Sequence, residues 1–429
     1  MVFCDYDWVI DRTEESKTPL SSKSGPRRIY WAGTLAAAFV LRLAIMVAVL
    51  HQKPGGWPLN SVGELGTIAR SIVEGRGISS PFGGLTGPTA FLAPGYPALV
   101  AVIFSIFGVF TPASAAVVML MQTLFSLATI FLIMKVAKEE FGAAAANGCG
   151  IFWTIGPQFL WLPAVFWDVS VTILFVIASI ALALSCSRRP TRANWALMGL
   201  VGGCALLVNP SLALMLAAVF CWTVARTWRA SYAGPVLSVL VLLAVFAWWP
   251  VRNQRVMHAF IPLRSNFGFE FWKGNRPEAT ALDSTAVYPV FDREEYDSYV
   301  AKGEVAYMQY KSALAKEYIA THPGRFARLS GERFLLYWTG GRTVIGGFIL
   351  VTTILGIGGL ALLARDGRVS LAVLLCLPLI VFPLPYYFTH AEPRFRLVME
   401  PITTLLSAYA VQRLWAMVKQ RRVVSGARP

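Results

Sequence analysis

The chain has 429 residues, of which 56% are hydrophobic and only 14% charged, with a mean hydropathy of +0.58. Repeated apolar runs near 20 residues exclude an ordinary soluble domain and indicate an all-α polytopic membrane protein. The formal charge of +15 implies no nucleic-acid partner, because Lys and Arg collect at the cytoplasmic ends of membrane helices.

Residues 1–29 read as a cytoplasmic tail that ends in "KSGPRR". The apolar run that starts near Tyr30 is too long, and too weakly marked for cleavage, to be a signal peptide. Spans are predicted over 30–50, 92–111, 115–136, 143–160, 166–186, 195–209, 211–226, 232–250, 343–364, 367–388 and 397–417. The basic clusters "SRRPTR" (187–192), "ARTWR" (225–229), "ARDGR" (364–368) and "KQRR" (419–422) orient them as cytoplasmic. Working back from "SRRPTR", the charge-neutral "KVAKEE" junction falls inside and the "FGVFTPA" turn outside. The run 92–111 then begins and ends on one face, and its Pro94 and Pro97 suit a helix that dips into the outer leaflet and returns. The expectation is ten crossings with both termini cytoplasmic. The transmembrane region 30–250 contains a first external loop at 51–91. An extracytoplasmic region at 251–342, C-terminal membrane helices at 343–417 and a basic tail at 418–429 complete the division. In the second external region, "YMQYKSALAKEYIATHPGRFARLSGERFLLYW" predicts two amphipathic helices broken at Pro323, with Tyr337 and Trp338 as an interfacial anchor.

The stretch "SVGELGTIARSIVEGRG" (61–77) stands out as charged chain after the first span. At helical period Val62, Leu65, Ile68, Ala69, Ile72 and Val73 form an apolar face, and Glu64, Thr67, Ser71 and Glu74 a polar one; Gly75 and Gly77 stop the helix. It reads as a helix on the outer surface presenting a carboxylate, or, with Ser61-x-x-Glu64 as a capping box, as simple local capping. Asp168, at the outer start of a span, is a functional candidate by default, with an N-cap or an arginine partner as its alternatives. Arg42, deep in the first span, pairs internally or snorkels. Asn209-Pro210 reads as a turn and cap. In "HAEPRFR", His390 precedes Arg394 and Arg396, which in an extended chain would point the same way and could grip one phosphate; otherwise they neutralise Glu392 or Glu400, or anchor at lipid headgroups. "RSNFGFEFWKGN" mixes aromatics with Arg264, Asn266, Glu270 and Asn275, a mixture suited to a sugar or to a loop folded over the membrane.

"SIVEGRGISSPFGGLTGPTAFLAPGYPALVAVIFSIFG" resembles the first external loop of the GT-C membrane glycosyltransferases of family 39, which include protein O-mannosyltransferases and aminoarabinose transferases and use polyprenyl-phosphate sugars. "FWDVS" (166–170), "GLVGGCALLVNPSL" (199–212), "WWPVRN" (248–253), "IPLRSNFGFEFWKGN" (261–275), "HPGRFARL" (322–329) and "EPRFRLVMEP" (392–401) continue the resemblance over most of 30–417. It implies a GT-C-like bundle of about ten transmembrane helices with outer-face juxtamembrane helices. It implies hexosyl or pentosyl transfer from a polyprenyl-phosphate donor, with a first-loop carboxylate as general base. Glu64 is the matching position; better-known members carry Asp there, often beside a second acid, whereas this chain has "VGELG". With the residues singled out above, the candidate catalytic residues are Glu64 and Asp168, and the candidate substrate contacts are Arg70, Arg264, Asn266, Glu270, Asn275, His390, Arg394 and Arg396.

The chemistry fits these residue types. A carboxylate deprotonates the acceptor hydroxyl, and cations hold the phosphate as it gains charge on leaving. Partners would be the lipid-linked sugar, membrane lipid and a glycan, lipid or protein acceptor, on the extracytoplasmic face of a bacterial cytoplasmic (inner) membrane. No Walker A or dinucleotide motif is present, and no cofactor is expected. His51, His258, His322 and His390 are scattered, so a divalent metal is unsupported by the sequence. The six cysteines show no ligand spacing. The competing reading is a transporter or lipid flippase, which the absence of related halves in the sequence disfavours.

Overall fold

Apolar runs of this length place their backbone polar groups in lipid, where helices satisfy every one of them internally. The computed structural model describes residues 30–52, 63–229, 232–282 and 285–426, and among them finds helices and only two isolated β-bridges. In chain order the helices are α1 (Trp31–Gln52), α2 (Glu64–Val73), α3 (Gly95–Phe107), α4 (Pro112–Phe141), α5 (Ala143–Ile155), α6 (Pro157–Trp161), α7 (Val169–Arg188), α8 (Arg192–Val208), α9 (Ala213–Thr227) and α10 (Ala233–Phe246). They continue as α11 (Trp248–Met257), α12 (Phe267–Asn275), α13 (Arg293–Lys302), α14 (Glu304–Thr321), α15 (Pro323–Thr339), α16 (Val344–Arg365), α17 (Val369–Val381), α18 (Leu384–Phe388), α19 (Pro393–Leu397) and α20 (Glu400–Gly426). Each predicted span coincides with a helix. By length and composition, seven helical stretches of the described residues are sufficient to cross a membrane.

Of the expected crossings, α5 and α8 are shorter, at 13 and 17 residues. Gly156-Pro157 breaks the chain after α5 and Asn209-Pro210 after α8, since proline has no N–H to continue the ladder. The first break leads into the turn before Asp168, and the second borders the polar cavity described below. Backbone at membrane depth can depart from helix where it lines such a cavity.

Ion pairs lock the opposite end of the bundle. Arg188 pairs with Glu139 at 2.6 Å and also with Glu140, which in turn binds Arg368; Asp366 pairs with Arg413 at 2.7 Å. The neutrality of "KVAKEE" thus has a cause, because its two acids neutralise arginines of two other junctions.

The run 92–111 holds one 13-residue helix, shorter than the seven long apolar stretches. α3 is about 20 Å long at 1.5 Å per residue, against a hydrocarbon core of about 30 Å. It packs on α2 through Tyr96, Val100 and Phe104, and leaves Leu99, Val102 and Ile106 exposed on its other side. Phe110, beyond its C-terminus, lies under Gly66 of α2, so both ends of the run return to one end of the bundle. The sequence suggested a dipping helix; the observed one packs lengthwise against α2.

Inside the bundle, Arg42 is 1% exposed and donates to Ser126 Oγ, the Ala38 carbonyl and the Trp153 carbonyl, so it pairs internally rather than snorkelling. Trp153 stacks on Phe159 at 3.9 Å and donates its indole N–H to Thr404. The amphipathic pair predicted around Pro323 forms as α14 and α15. Tyr337 and Trp338 are not a lipid-facing anchor: Tyr337 is buried and Trp338 donates to the Tyr387 hydroxyl at 2.8 Å. Phe334 and Leu335 are the exposed apolar residues of that helix end.

Small residues bring α8 and α10 together; a Cβ on Gly199 would lie 2.1 Å from the Ser238 carbonyl oxygen. Gly199→Val should therefore cost on the order of 1–3 kcal/mol, whereas Gly148→Ala, with no atom in its way, should be neutral. Thermal unfolding in detergent micelles checks both, and equal melting temperatures for Gly199→Val and parent would contradict this packing.

Candidate active site

One cavity of about 470 Å³ opens among the loops at the end of the bundle remote from the ion-pair lock. Three chain regions wall it. The segment between α1 and α3 supplies Glu64 and Phe91–Ala93; the ends of α7, α8 and α9 supply Trp167, Asp168 and Asn209–Ser211. The later segments supply Arg264, Asn266, Phe267, Glu270, Tyr288, His390 and Arg394. Seven of the ten site residues expected from the sequence line it: Glu64, Asp168, Arg264, Asn266, Glu270, His390 and Arg394.

Glu64 is the first residue of α2, with Gly63 as N-cap. A capping box would have put it at the third helical position, so that reading fails; Ser61 lies outside the described residues. The residue as a whole is half-buried. Burial raises its pKa, as does the charge of Glu270, while its own backbone amide, Lys273 and Arg394 oppose the rise. Glu64 and Arg394 thus share one electrostatic environment.

Asp168 precedes α7 but its side chain caps no helix amide, because its backbone already has helical angles. Burial raises its pKa too, opposed first by Arg264 and then by Arg394, with Asn209 beside it. Asn209 accepts from the Ser211 amide at 3.2 Å, the turn-and-cap role expected of it. Arg264 is fixed by donating to Ser211 Oγ at 2.8 Å.

The opposite wall is an ionic cluster. Glu270 pairs with Lys273 at 2.7 Å and accepts from the Tyr288 hydroxyl at 3.1 Å, and His390 Nδ1 stands 3.7 Å from its other oxygen. Asn266 starts the helix that carries this pair, and lines the cavity at 9% exposure. Arg394 lies over the Trp167 ring at 4.3 Å and pairs with Glu392 at 2.6 Å.

Three expected contacts lie elsewhere. Arg70 is exposed on the far side of α2 and pairs with Glu74 at 2.6 Å. Asn275 is 2% exposed and donates to the Phe271 and Phe388 carbonyls, stapling α12 to the chain before His390; Arg333 donates to the Asn275 side chain and the Gly274 carbonyl at the same joint. Arg396 is fully buried, pairing with Glu400 at 3.0 Å and donating to Thr353. The expected two-arginine grip fails because "EPRFRL" is helical: residues two apart on a helix point about 200° apart, so Arg394 faces the cavity and Arg396 the bundle.

Sequence reasoning missed Lys273, Tyr288 and Trp167 as members of this constellation. The three-residue spacing of Glu270 and Lys273 was a usable signal for the first. Trp167 stood in "FWDVS" without a partner to mark it, and Tyr288 carries no local pattern. Among the described residues no group of three or more His, Cys, Asp or Glu side chains could hold a metal ion.

Solved structures supply a reference for the fold. The Archaeoglobus fulgidus oligosaccharyltransferase in its apo form aligns over 94% of this chain and 52% of its own, at 12% identity and a TM-score of 0.52. The archaeal oligosaccharyltransferase AglB from Archaeoglobus fulgidus, in complex with an inhibitory peptide and a dolichol-phosphate, aligns over 93% and 52%, at 13% identity and a TM-score of 0.50. The chain thus spans about half the length of these proteins. ArnT from Cupriavidus metallidurans bound to undecaprenyl phosphate aligns over 89% and 78%, at 15% identity and a TM-score of 0.43, too low to define a common fold by itself. No protein-family model and no curated protein matches the chain. The chain shares its fold with the Archaeoglobus fulgidus oligosaccharyltransferase.

The two arginines separate by mutation. Arg396→Ala leaves Glu400 buried and unpaired, and should cost about 3–5 kcal/mol. Arg394→Ala, at a cavity wall, should keep the parental melting temperature to within a few degrees; equal losses from the two variants in a detergent melt would contradict this division.

Proposed function

We propose that this chain is a membrane glycosyltransferase that moves a sugar, a hexose or pentose unit, from a polyprenyl-phosphate donor to an acceptor on the extracytoplasmic face. The observation that carries the reading is the convergence of Glu64 and Asp168 with Arg264 and Arg394 around one cavity at the end of an apolar bundle. Lipid-phosphate sugars carry an anion at the membrane surface and a tail that belongs in lipid, and this place suits both halves. The archaeal oligosaccharyltransferase that shares the fold was solved with a dolichol-phosphate, a carrier of the same chemical class.

In the proposed step the acceptor hydroxyl gives its proton to the Glu64 carboxylate as its oxygen bonds to the anomeric carbon. The bond from that carbon to the phosphate oxygen breaks, and the polyprenyl phosphate leaves with the electron pair. Arg264 and Arg394 face the negative charge that develops on it. The rings of Trp167 and Phe395 flank the Arg394 guanidinium and limit its orientations. Asp168 lies within the influence of both arginines and balances them when no phosphate is bound. Glu270, held by Lys273 and Tyr288, and His390 are placed to contact sugar hydroxyls, with Asn266 at the same wall.

The charge rule supports this choice of face. The end opposite the cavity carries the junctions with Arg188, Arg189, Arg192, Arg365 and Arg368, and such clusters favour the cytoplasmic side.

Glu64→Gln keeps the shape but cannot accept the proton, and should lower kcat by about 10²–10⁴-fold in a purified transfer assay with a lipid donor. Equal rates for variant and parent would remove Glu64 as the base. Arg394→Ala should mainly raise KM for the lipid donor. The base must be ionised to act and burial raises its pKa, so the acid limb of the parental pH–rate profile should lie above the ordinary glutamate value of about 4.3. An acid limb at or below that value would contradict the assignment.

A further inference from the structure

The cavity walls belong to segments far apart in sequence, and the joint between them centres on a carboxylate that the chemistry does not use. Glu304 is the first residue of α14, is 5% exposed, and stands where a helix N-terminus favours negative charge. Four donors converge on it. One oxygen accepts from the Ala90 amide at 2.7 Å and the Ser265 hydroxyl at 2.6 Å; the other accepts from the Tyr299 hydroxyl at 2.7 Å and the Thr89 hydroxyl. The Ser265 amide also donates to the Ala90 carbonyl at 2.9 Å, so the two loops bond directly beneath the carboxylate. Arg252 completes the joint by donating to the Thr89 and Ile78 carbonyls at 2.8 and 2.7 Å, its guanidinium lying over Trp249.

The partners of Glu304 sit immediately beside cavity residues. Ala90 precedes Phe91, Leu92 and Ala93, which line one wall; Ser265 lies between Arg264 and Asn266, which line the other. Thr67, on the same helix as Glu64, donates to the Pro81 carbonyl in that first loop, so the base-bearing helix is tied to the same unit. We propose that Glu304 is a positioning residue: its carboxylate clasps Thr89–Ala90 to Ser265, and so sets the spacing between the wall that carries Glu64 and the wall that carries Arg264. It touches no cavity space itself and acts only through these neighbours. The proposal rests on the glycosyl-transfer reading for its kinetic consequence, and on hydrogen bonds alone for the clasp.

Glu304→Gln and Ser265→Ala test it in the full-length protein in lipid nanodiscs, the second removing a single donor and posing little risk to folding. Hydrogen exchange read by mass spectrometry should become faster in peptides covering residues 86–95, with the peptides of α1 and α4 unchanged. In the transfer assay, normalised to folded protein, misalignment of the two walls should lower kcat, by up to the order of 10²-fold for Glu304→Gln, with donor KM within about threefold of parent, because ground-state phosphate contacts remain. Unchanged exchange at 86–95 overturns the clasp. Faster exchange with parental kcat per folded molecule overturns the positioning role. If the parent itself uses no lipid donor, the glycosyl-transfer reading falls, and exchange alone then decides whether the clasp exists.

Discussion

A charge placed between apolar helices must find its counter-charge or its hydrogen-bond donors in the same place, and this constraint shapes the molecule. Arg42 reaches two carbonyls and a serine; Arg396 pairs with Glu400 and donates to Thr353, while Thr352 and Thr403 donate to Glu400. Lys273 is matched to Glu270, and Lys311 to Glu295 at 2.5 Å. Around the cavity the matching is different in kind. Glu64 and Asp168 feel arginine charge, yet burial still leaves both carboxyls above their usual pKa. There the acids and the arginines meet around an open volume rather than in packed protein.

The same constraint explains the short helices. Spans that end at the cavity need not reach the membrane surface, because water and polar side chains meet their terminal carbonyls and amides. The Asn209-Pro210 turn, at first sight only a break between two spans, is what lowers Asn209 and Ser211 to the level of Asp168 and Arg264. The segments 63–94 and 258–339 then close over this depression, tied together at Glu304 on one side and at Arg333 and Asn275 on the other.

Much of this was legible in the sequence, for physical reasons. Apolar length gave the helices, and the Arg-rich junctions at Arg188 and Arg368 meet at one end of the bundle through Glu140. Glu64, Asp168, Arg264 and Arg394 stood out because charge is scarce in such a chain and each falls at a span end or in an external loop. What misled was local geometry. Arg396 shares a motif with Arg394, and only the helical turn of α19 sends it inward. Arg70 shares α2 with Glu64 but points the other way. Tyr337 and Trp338 sit at a helix end, where aromatic residues often meet lipid, but Tyr387 recruits them inward. Pairings that depend on tertiary approach, such as Arg394 with Trp167 or Glu304 with Ala90, leave no periodic trace in the chain.

The most direct test of the central claim is an experimental structure of the protein with a polyprenyl phosphate. The phosphate should lie between Arg264 and Arg394, with the Glu64 carboxylate facing the side from which an acceptor would approach the sugar. A phosphate bound at the Arg188–Arg368 end, or one separated from Glu64 by packed protein, would contradict it.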